Sequence, residues 1–200
     1  MSVRQILING KWRYANLSST FQAVNPTTKS SLLGEFPVST WADCDAALDA
    51  AVQASVKLRD VPGTQIAKFL ETFATRIEAI ANELVSVANE ETALPKTPRL
   101  ANVELPRTTN QLRLAAQAAR SGSWRCPIID TAANIRSCYG PIGPVAVFGP
   151  NNFPFAFGSI SGGDFAAAVA AGNPVIAKAN SSHPDTTRLF AEQAQVAANE

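Results

Sequence analysis

Two hundred residues carry seventeen Lys and Arg against sixteen Asp and Glu, so the chain is almost neutral, at +1. That balance excludes a dedicated nucleic-acid binder, which needs a basic excess to meet phosphates. With 46% hydrophobic and 16% charged residues it is also too apolar for a disordered chain, and its length suits one to two domains. No apolar run reaches the ~18–20 residues that span a bilayer, and Met1-Ser2-Val3-Arg4-Gln5 lacks the apolar stretch of a signal peptide. Neither a membrane nor a nucleic acid is therefore expected as a partner. Cys44, Cys126 and Cys138 are odd in number and widely spaced, which points to reduced thiols and a cytoplasmic location. No metal site is expected, because His183 is the only histidine and no two cysteines have ligand spacing.

In chain order, Ile6 to Tyr14 predicts a β-hairpin with Asn9-Gly10 at its turn, since both residue types tolerate positive φ. Phe21 to Val24 predicts a short strand closed by Asn25-Pro26. Thr40 opens a helix, with Asp43 in the position of a capping-box acid and Cys44, Leu48, Ala51/Val52 and Ser55 as its core stripe. After Pro62-Gly63, one long amphipathic helix is expected: Ile66, Phe69/Leu70, Phe73, Ile77, Ile80, Leu84 and Val87 recur in steps of three and four. Pro95 and Pro98 end it. A third helix runs to about Arg120, kinked or late-starting at Pro106, and Gly122 stops it. Residues 124–139 predict two strands joined by a polar turn.

Beyond Gly140 the pattern changes. Val145-Ala146-Val147-Phe148 and Pro174 to Lys178 are short apolar runs, as expected of strands buried on both faces. A small-residue helix is expected over about 155–171, and another from near Asp185 that has no stop signal before Glu200. This β-α-β-α order predicts a parallel sheet. Two strands make a poor sheet, so the chain reads as part of a larger α/β fold.

In open α/β sheets, ligands sit beyond the carboxyl ends of the strands. Asn151 and Asn152 follow the first strand directly, where a side-chain amide can donate to a developing oxyanion. The alternative is that both only shape the turn and cap the next helix. Lys178 ends the second strand, where it either reaches a ribose or phosphate or is an ordinary exposed lysine. Gly158, Gly162 and Gly163 do not form G-x-G-x-x-G, so close packing accounts for them better than phosphate binding.

Several motifs together resemble the N-terminal part of the aldehyde dehydrogenase family. They are Asn152-Phe153-Pro154, Ala170 to Val175 with Lys178, Ile8 to Trp12 followed by Val24-Asn25-Pro26, and Glu91-Thr92 with Pro95. The similarity runs in order through nearly all 200 residues. Phe148-Gly149, Ala156-Phe157 and Gly162-Gly163-Asp164 further resemble the α-ketoglutaric semialdehyde dehydrogenase group, which oxidises 2,5-dioxopentanoate, usually with NADP.

The resemblance implies an NAD(P)-dependent oxidation of an aldehyde to a carboxylic acid, in a Rossmann-like cofactor domain. Residues 1–122 would be its hairpin and helical part, 123–141 a β-arm, and 142–200 the start of the cofactor-binding βαβα unit. Asn152 would be the oxyanion asparagine. Phe148, Gly149, Pro150 and Asn151 would line the nicotinamide side, and Lys178 would bond the adenosine ribose. Ser181 stands where NAD-preferring members carry a Glu, which implies NADP, with NAD as the alternative. The segment 124–139 would build a homo-oligomer.

Departures accompany the match. Asn151 stands where many members have Trp, and Ala179 where Pro commonly follows the lysine. The family's nucleophilic cysteine, general-base glutamate and glycine-rich turn would all lie beyond Glu200. Cys44 is expected as a buried, inert thiol and no base lies near Cys126 or Cys138. His183 is expected on a surface loop or at a helix start, with an approach to a 2′-phosphate as the alternative. The competing expectation is a truncated, catalytically inactive chain that binds nucleotide weakly or associates with full-length subunits.

Overall fold

A computed structural model describes residues 3–200. Strands β1 (Ile6–Ile8) and β2 (Lys11–Arg13) form the expected hairpin. Asn9 and Gly10 adopt φ of 51° and 71°, as a two-residue turn of this hand requires. The next strand, β3, spans Leu17–Phe21 and pairs antiparallel with β4 (Phe36–Ser39). This corrects the strand expected over 21–24, where Val24 makes only a single bridge to Ser31.

Helix α1 (Trp41–Leu58) begins after Thr40, but Thr40 makes no side-chain cap. Asp43 is not a capping residue. It is buried, and it accepts hydrogen bonds from Arg13 Nη2 and the Asn16 N–H, both at 2.8 Å, so it ties α1 to the segment after the hairpin. Most of the expected stripe faces outward: Cys44, Leu48 and Val52 are exposed, and of its residues only Ala51 is buried, alongside Asp43.

The single long helix is two. Helix α2 (Gly63–Ala79) and α3 (Ala81–Thr92) meet at Ile80, whose φ of −109° and ψ of 21° break the helical path. A wide, π-type segment within Lys96–Glu104, where Thr97 is extended at φ −130° and ψ 135°, leads into α4 (Leu105–Ser121), with the Leu105 N–H bonded to Leu100 O. The late start expected at Pro106 is therefore present, and the wide turns absorb the donor that proline lacks. Gly122 ends α4 in the left-handed conformation, at φ 64°.

The core lies among α2, α3, α4 and two later helices, α5 (Gly163–Ala170) and α6 (Pro184–Ala198). Leu70, Phe73 and Ile77 of α2, Leu84 of α3 and Leu112 of α4 are fully buried there. Phe73 meets Phe165 edge-on at 6.0 Å, and Phe155 meets Phe190 at 5.4 Å. Each such side chain contributes about 1.5–3 kcal/mol by leaving water.

Strands β5 (Ile128–Asp130) and β6 (Ile135–Ser137) form an antiparallel hairpin whose residues are all exposed. Strands β7 (Val145–Phe148) and β8 (Val175–Lys178) pair in parallel, with α5 between them, so the chain is α/β. They are not buried on both faces: Val147 is buried, but Ala146 and Phe148 are exposed, because among the described residues nothing covers that face. Helix α6 ends at Ala198 with Asn199 as its C-cap. Gln195 of α6 joins the first hairpin, accepting from Trp12 Nε1 at 2.6 Å and donating to Gly10 O at 2.5 Å. No helix among the described residues is long and apolar enough to cross a membrane.

Candidate active site

The carboxyl ends of β7 and β8 lie side by side. Phe148 pairs with Lys178 in the strand register, and both are exposed. Gly149 then turns the chain back under a later segment. A Cβ on Gly149 would stand 2.6 Å from Ser159 N, so only glycine fits that approach.

The expected helix over 155–171 is confined to Gly163–Ala170, and 154–162 is a run of turns. The reason lies in where the backbone groups go. Glu104 Oε1 takes the Phe155 and Ala156 N–H groups at 3.0 and 3.2 Å, and Ser161 Oγ donates to Phe155 O at 2.8 Å. A Cβ on Gly158 would meet Pro154 O at 2.5 Å, and one on Gly162 would meet Phe157 Cα at 2.7 Å. Helix-compatible composition is thus overridden by close packing and by a buried carboxylate.

Asn151 and Asn152 are exposed, and among the described residues neither side chain makes a hydrogen bond. Gly162, ten residues after Asn152, is the cap position of α5, so the asparagines do not cap it. The Asn152 backbone is held instead: Arg99 Nη2 donates to its carbonyl at 2.7 Å. The Arg99 guanidinium lies 3.9 Å from the Phe153 ring centroid and 3.8 Å from Glu104 Oε2. Burial pushes the Glu104 carboxyl upward, against the hydrogen bonds from Phe155 and Ala156 and the charge of Arg99.

The other side of the turn is held from the loop after β8. Asn180 Nδ2 donates to Gly149 O at 2.9 Å. His183 Nε2 lies 3.1 Å from Pro150 O, so this nitrogen carries the proton. His183 starts α6 as expected, yet it is 1% exposed and not a surface residue. Burial lowers its pKa, which keeps it neutral. Ser181 and Ser182 are exposed between these two anchors.

The start of α6 has its own anchor. Glu91 of α3 accepts from the Asp185 and Thr186 N–H groups at 2.8 Å each and from Thr186 Oγ1 at 2.7 Å. Burial pushes its carboxyl up to about 7, against those three donors.

The structure therefore brings Phe148, Gly149, Pro150, Asn151, Asn152, Lys178 and Ser181 to one end of the parallel pair. The three cysteines are all exposed, Cys44 included, which corrects the buried thiol expected there. Among the described residues no cluster of three His, Cys, Asp or Glu side chains is placed to hold a metal. The sequence reading missed Arg99, Glu104 and Asn180. Only Glu104 left a signal: it shares a helical face with Leu100 and Thr108, both fully buried, so an acid there had to find buried partners.

Comparison with known proteins agrees with this architecture. A family model described as "Aldehyde dehydrogenase family" matches residues 12–199. An α-ketoglutaric semialdehyde dehydrogenase of Acinetobacter baylyi is 40% identical over 194 residues, covering 92% of this chain and 36% of the relative. An N-succinylglutamate 5-semialdehyde dehydrogenase of Pseudomonas fluorescens is 31% identical, covering 94% of this chain and 37% of the relative. The crystal structure of succinate-semialdehyde dehydrogenase from Burkholderia pseudomallei superposes with a TM-score of 0.83 at 26% identity, over 97% of this chain and 39% of that one. The chain thus spans little more than a third of the length of the relatives it matches. A family match over nearly its whole length means that this chain belongs to the aldehyde dehydrogenase family.

Proposed function

We propose that this chain supplies the oxyanion and cofactor-facing part of an NADP-dependent aldehyde dehydrogenase that oxidises 2,5-dioxopentanoate to 2-oxoglutarate. The observation that carries the reading is Asn152. Its amide is exposed and, among the described residues, unbonded, while Arg99 pins its backbone and Glu104 pins the two residues after Pro154. A donor held this way is ready to meet charge that develops only in the transition state.

The residues at the strand ends suit a nicotinamide dinucleotide. Phe148 and Lys178 are exposed neighbours, and the Gly149 and Pro150 carbonyls are turned inward onto Asn180 and His183. The exposed faces of Phe148 to Asn151 would line the nicotinamide side, and Lys178 would donate to the adenosine ribose. Ser181 brings no carboxylate to oppose a 2′-phosphate, which supports NADP over NAD. When bound, the cofactor accepts the hydride. Asn152 donates to the oxyanion formed when a thiolate from outside these 200 residues attacks the aldehyde carbon. The names of the Acinetobacter and Pseudomonas relatives support a semialdehyde substrate. The reading further takes residues 1–122 as the helical part, 123–141 as an arm that joins copies of the chain, 142–200 as the cofactor-binding unit, and the cytoplasm as its location.

The test is a chimera that joins residues 1–200 to the part of the Acinetobacter baylyi relative beyond the matched segment. Asn152→Ala should lower kcat about 10²-fold with NADP affinity unchanged. An unchanged kcat would remove the oxyanion role.

A second reading is favoured by one observation. Ile128, Ile129, Ile135 and Tyr139 are all exposed along the hairpin. In this reading the chain acts by associating with longer subunits and has no turnover of its own. Aldehyde-dependent NADPH formation by the chain alone would rule that out.

A further inference from the structure

We propose that Arg107 selects aldehydes that carry an anionic tail, by gripping the tail carboxylate next to the Phe153–Phe157 ring pair. The proposal rests on the dehydrogenase reading above and names the part of this chain that sets its substrate class.

Arg107 projects from the first turn of α4, and its guanidinium carbon lies 4.9 Å from the centroid of the Phe157 ring. Phe157 meets Phe153 edge-on at 5.1 Å, and Phe153 is the residue after Asn152. In the proposed arrangement, an aldehyde carbon beside the Asn152 amide would have its tail run along this ring pair toward the Arg107 guanidinium.

The two arginines of this neighbourhood differ. Arg99 is engaged, donating to Asn152 O at 2.7 Å with Glu104 Oε2 at 3.8 Å. Arg107 is exposed and, among the described residues, forms no hydrogen bond and no ion pair within 4 Å, although its charge, like that of Arg99, acts on the Glu104 carboxyl. Glu104 is the one acid in this group, and its Oε1 is committed to two backbone N–H groups. Two guanidinium charges against one carboxylate leave the rim of the site positive. A guanidinium over a ring is attracted to its face and still offers N–H donors in the fork that matches a carboxylate.

A neutral aldehyde would gain nothing from that fork. A semialdehyde with a terminal carboxylate would gain a charge-assisted, two-pronged contact that also fixes which end faces Asn152.

The experiment compares 2,5-dioxopentanoate with pentanal, a neutral aldehyde of the same chain length, in the chimera described above. The variants are Arg107→Gln and Arg107→Lys. Arg107→Gln should raise KM for the anionic substrate about 10- to 100-fold, the effect of losing one charged hydrogen-bonded contact. It should leave kcat for that substrate and kcat/KM for pentanal within twofold. Arg107→Lys should recover part of the loss, because charge returns without the fork. Equal effects on both substrates, or no effect on either, would overturn the proposal and leave the dehydrogenase reading standing. A parent chimera that oxidises neither aldehyde would remove that reading and this proposal with it.

Discussion

Glu104 offers a sharp test of how the Asn152 turn is held. Its side chain is buried, and Oε1 accepts the Phe155 and Ala156 N–H groups while Oε2 accepts no hydrogen bond. If the acceptor is what matters, Glu104→Gln should be almost neutral. The amide oxygen can take both N–H groups, and the cost of placing the amide nitrogen's donors beside Arg99 is set against the relief of no longer burying a charge. Lost attraction to Arg99 at 3.8 Å is offset by no longer burying a charge, for a net change within about 1 kcal/mol. Glu104→Leu has nearly the same bulk but leaves two buried donors unpaired, each costing about 1–3 kcal/mol, less the relief of removing a buried carboxyl. A net loss of about 2–4 kcal/mol follows. With a urea slope of about 2–3 kcal/mol per molar, the midpoint should fall by about 1 M for leucine and stay near wild type for glutamine. Tryptophan fluorescence and circular dichroism, monitored together, check that a single transition is being read. A glutamine variant as unstable as the leucine variant would refute the reasoning and make the charge facing Arg99 the dominant contribution.

Glu91 makes a prediction about pH. Its folded carboxyl holds a proton up to about 7, whereas 4.5 is the ordinary value. Between those values the unfolded chain ionises first, so folding loses up to about 3 kcal/mol as pH rises through that window, and the loss is complete above about 7. Glu91→Gln does not titrate. The stability advantage of wild type over that variant should therefore be larger at pH 5 than at pH 7.5, and an advantage that grows with pH would mean that the three donors from α6 keep Glu91 ionised. The exposed thiols make a simpler prediction: Ellman's reagent should titrate three cysteines in the folded chain, and only two rapid equivalents would put Cys44 back under cover.

Local signals in the sequence were enough for the elements whose conformation is set by neighbouring residues. Asn9-Gly10 turns the first hairpin because both residues accept positive φ, Gly122 stops α4 for the same reason, and the apolar runs at 145–148 and 175–178 become a parallel pair. That pair was also enough to point to an end of the sheet as the candidate site, and motifs running in order along the whole chain pointed to the family. Position in the chain could not say which partner a polar group would find. Periodicity continued unbroken through Ile80, yet the helix breaks there. Asp43 had the spacing of a cap and became a buried anchor for Arg13 and Asn16. Cys44, Leu48 and Val52 face outward because Asp43 and Ala51 set the inward side of α1. The 155–162 segment had helical composition, but Glu104, fifty-one residues from Phe155, took the backbone donors a helix needs. His183 and Asn180 had no local reason to reach Pro150 and Gly149. Backbone preference acts over a few residues and can be read along the chain. Satisfying buried polar groups is a global requirement, met here by side chains thirty to a hundred residues away, and only the tertiary structure decides it.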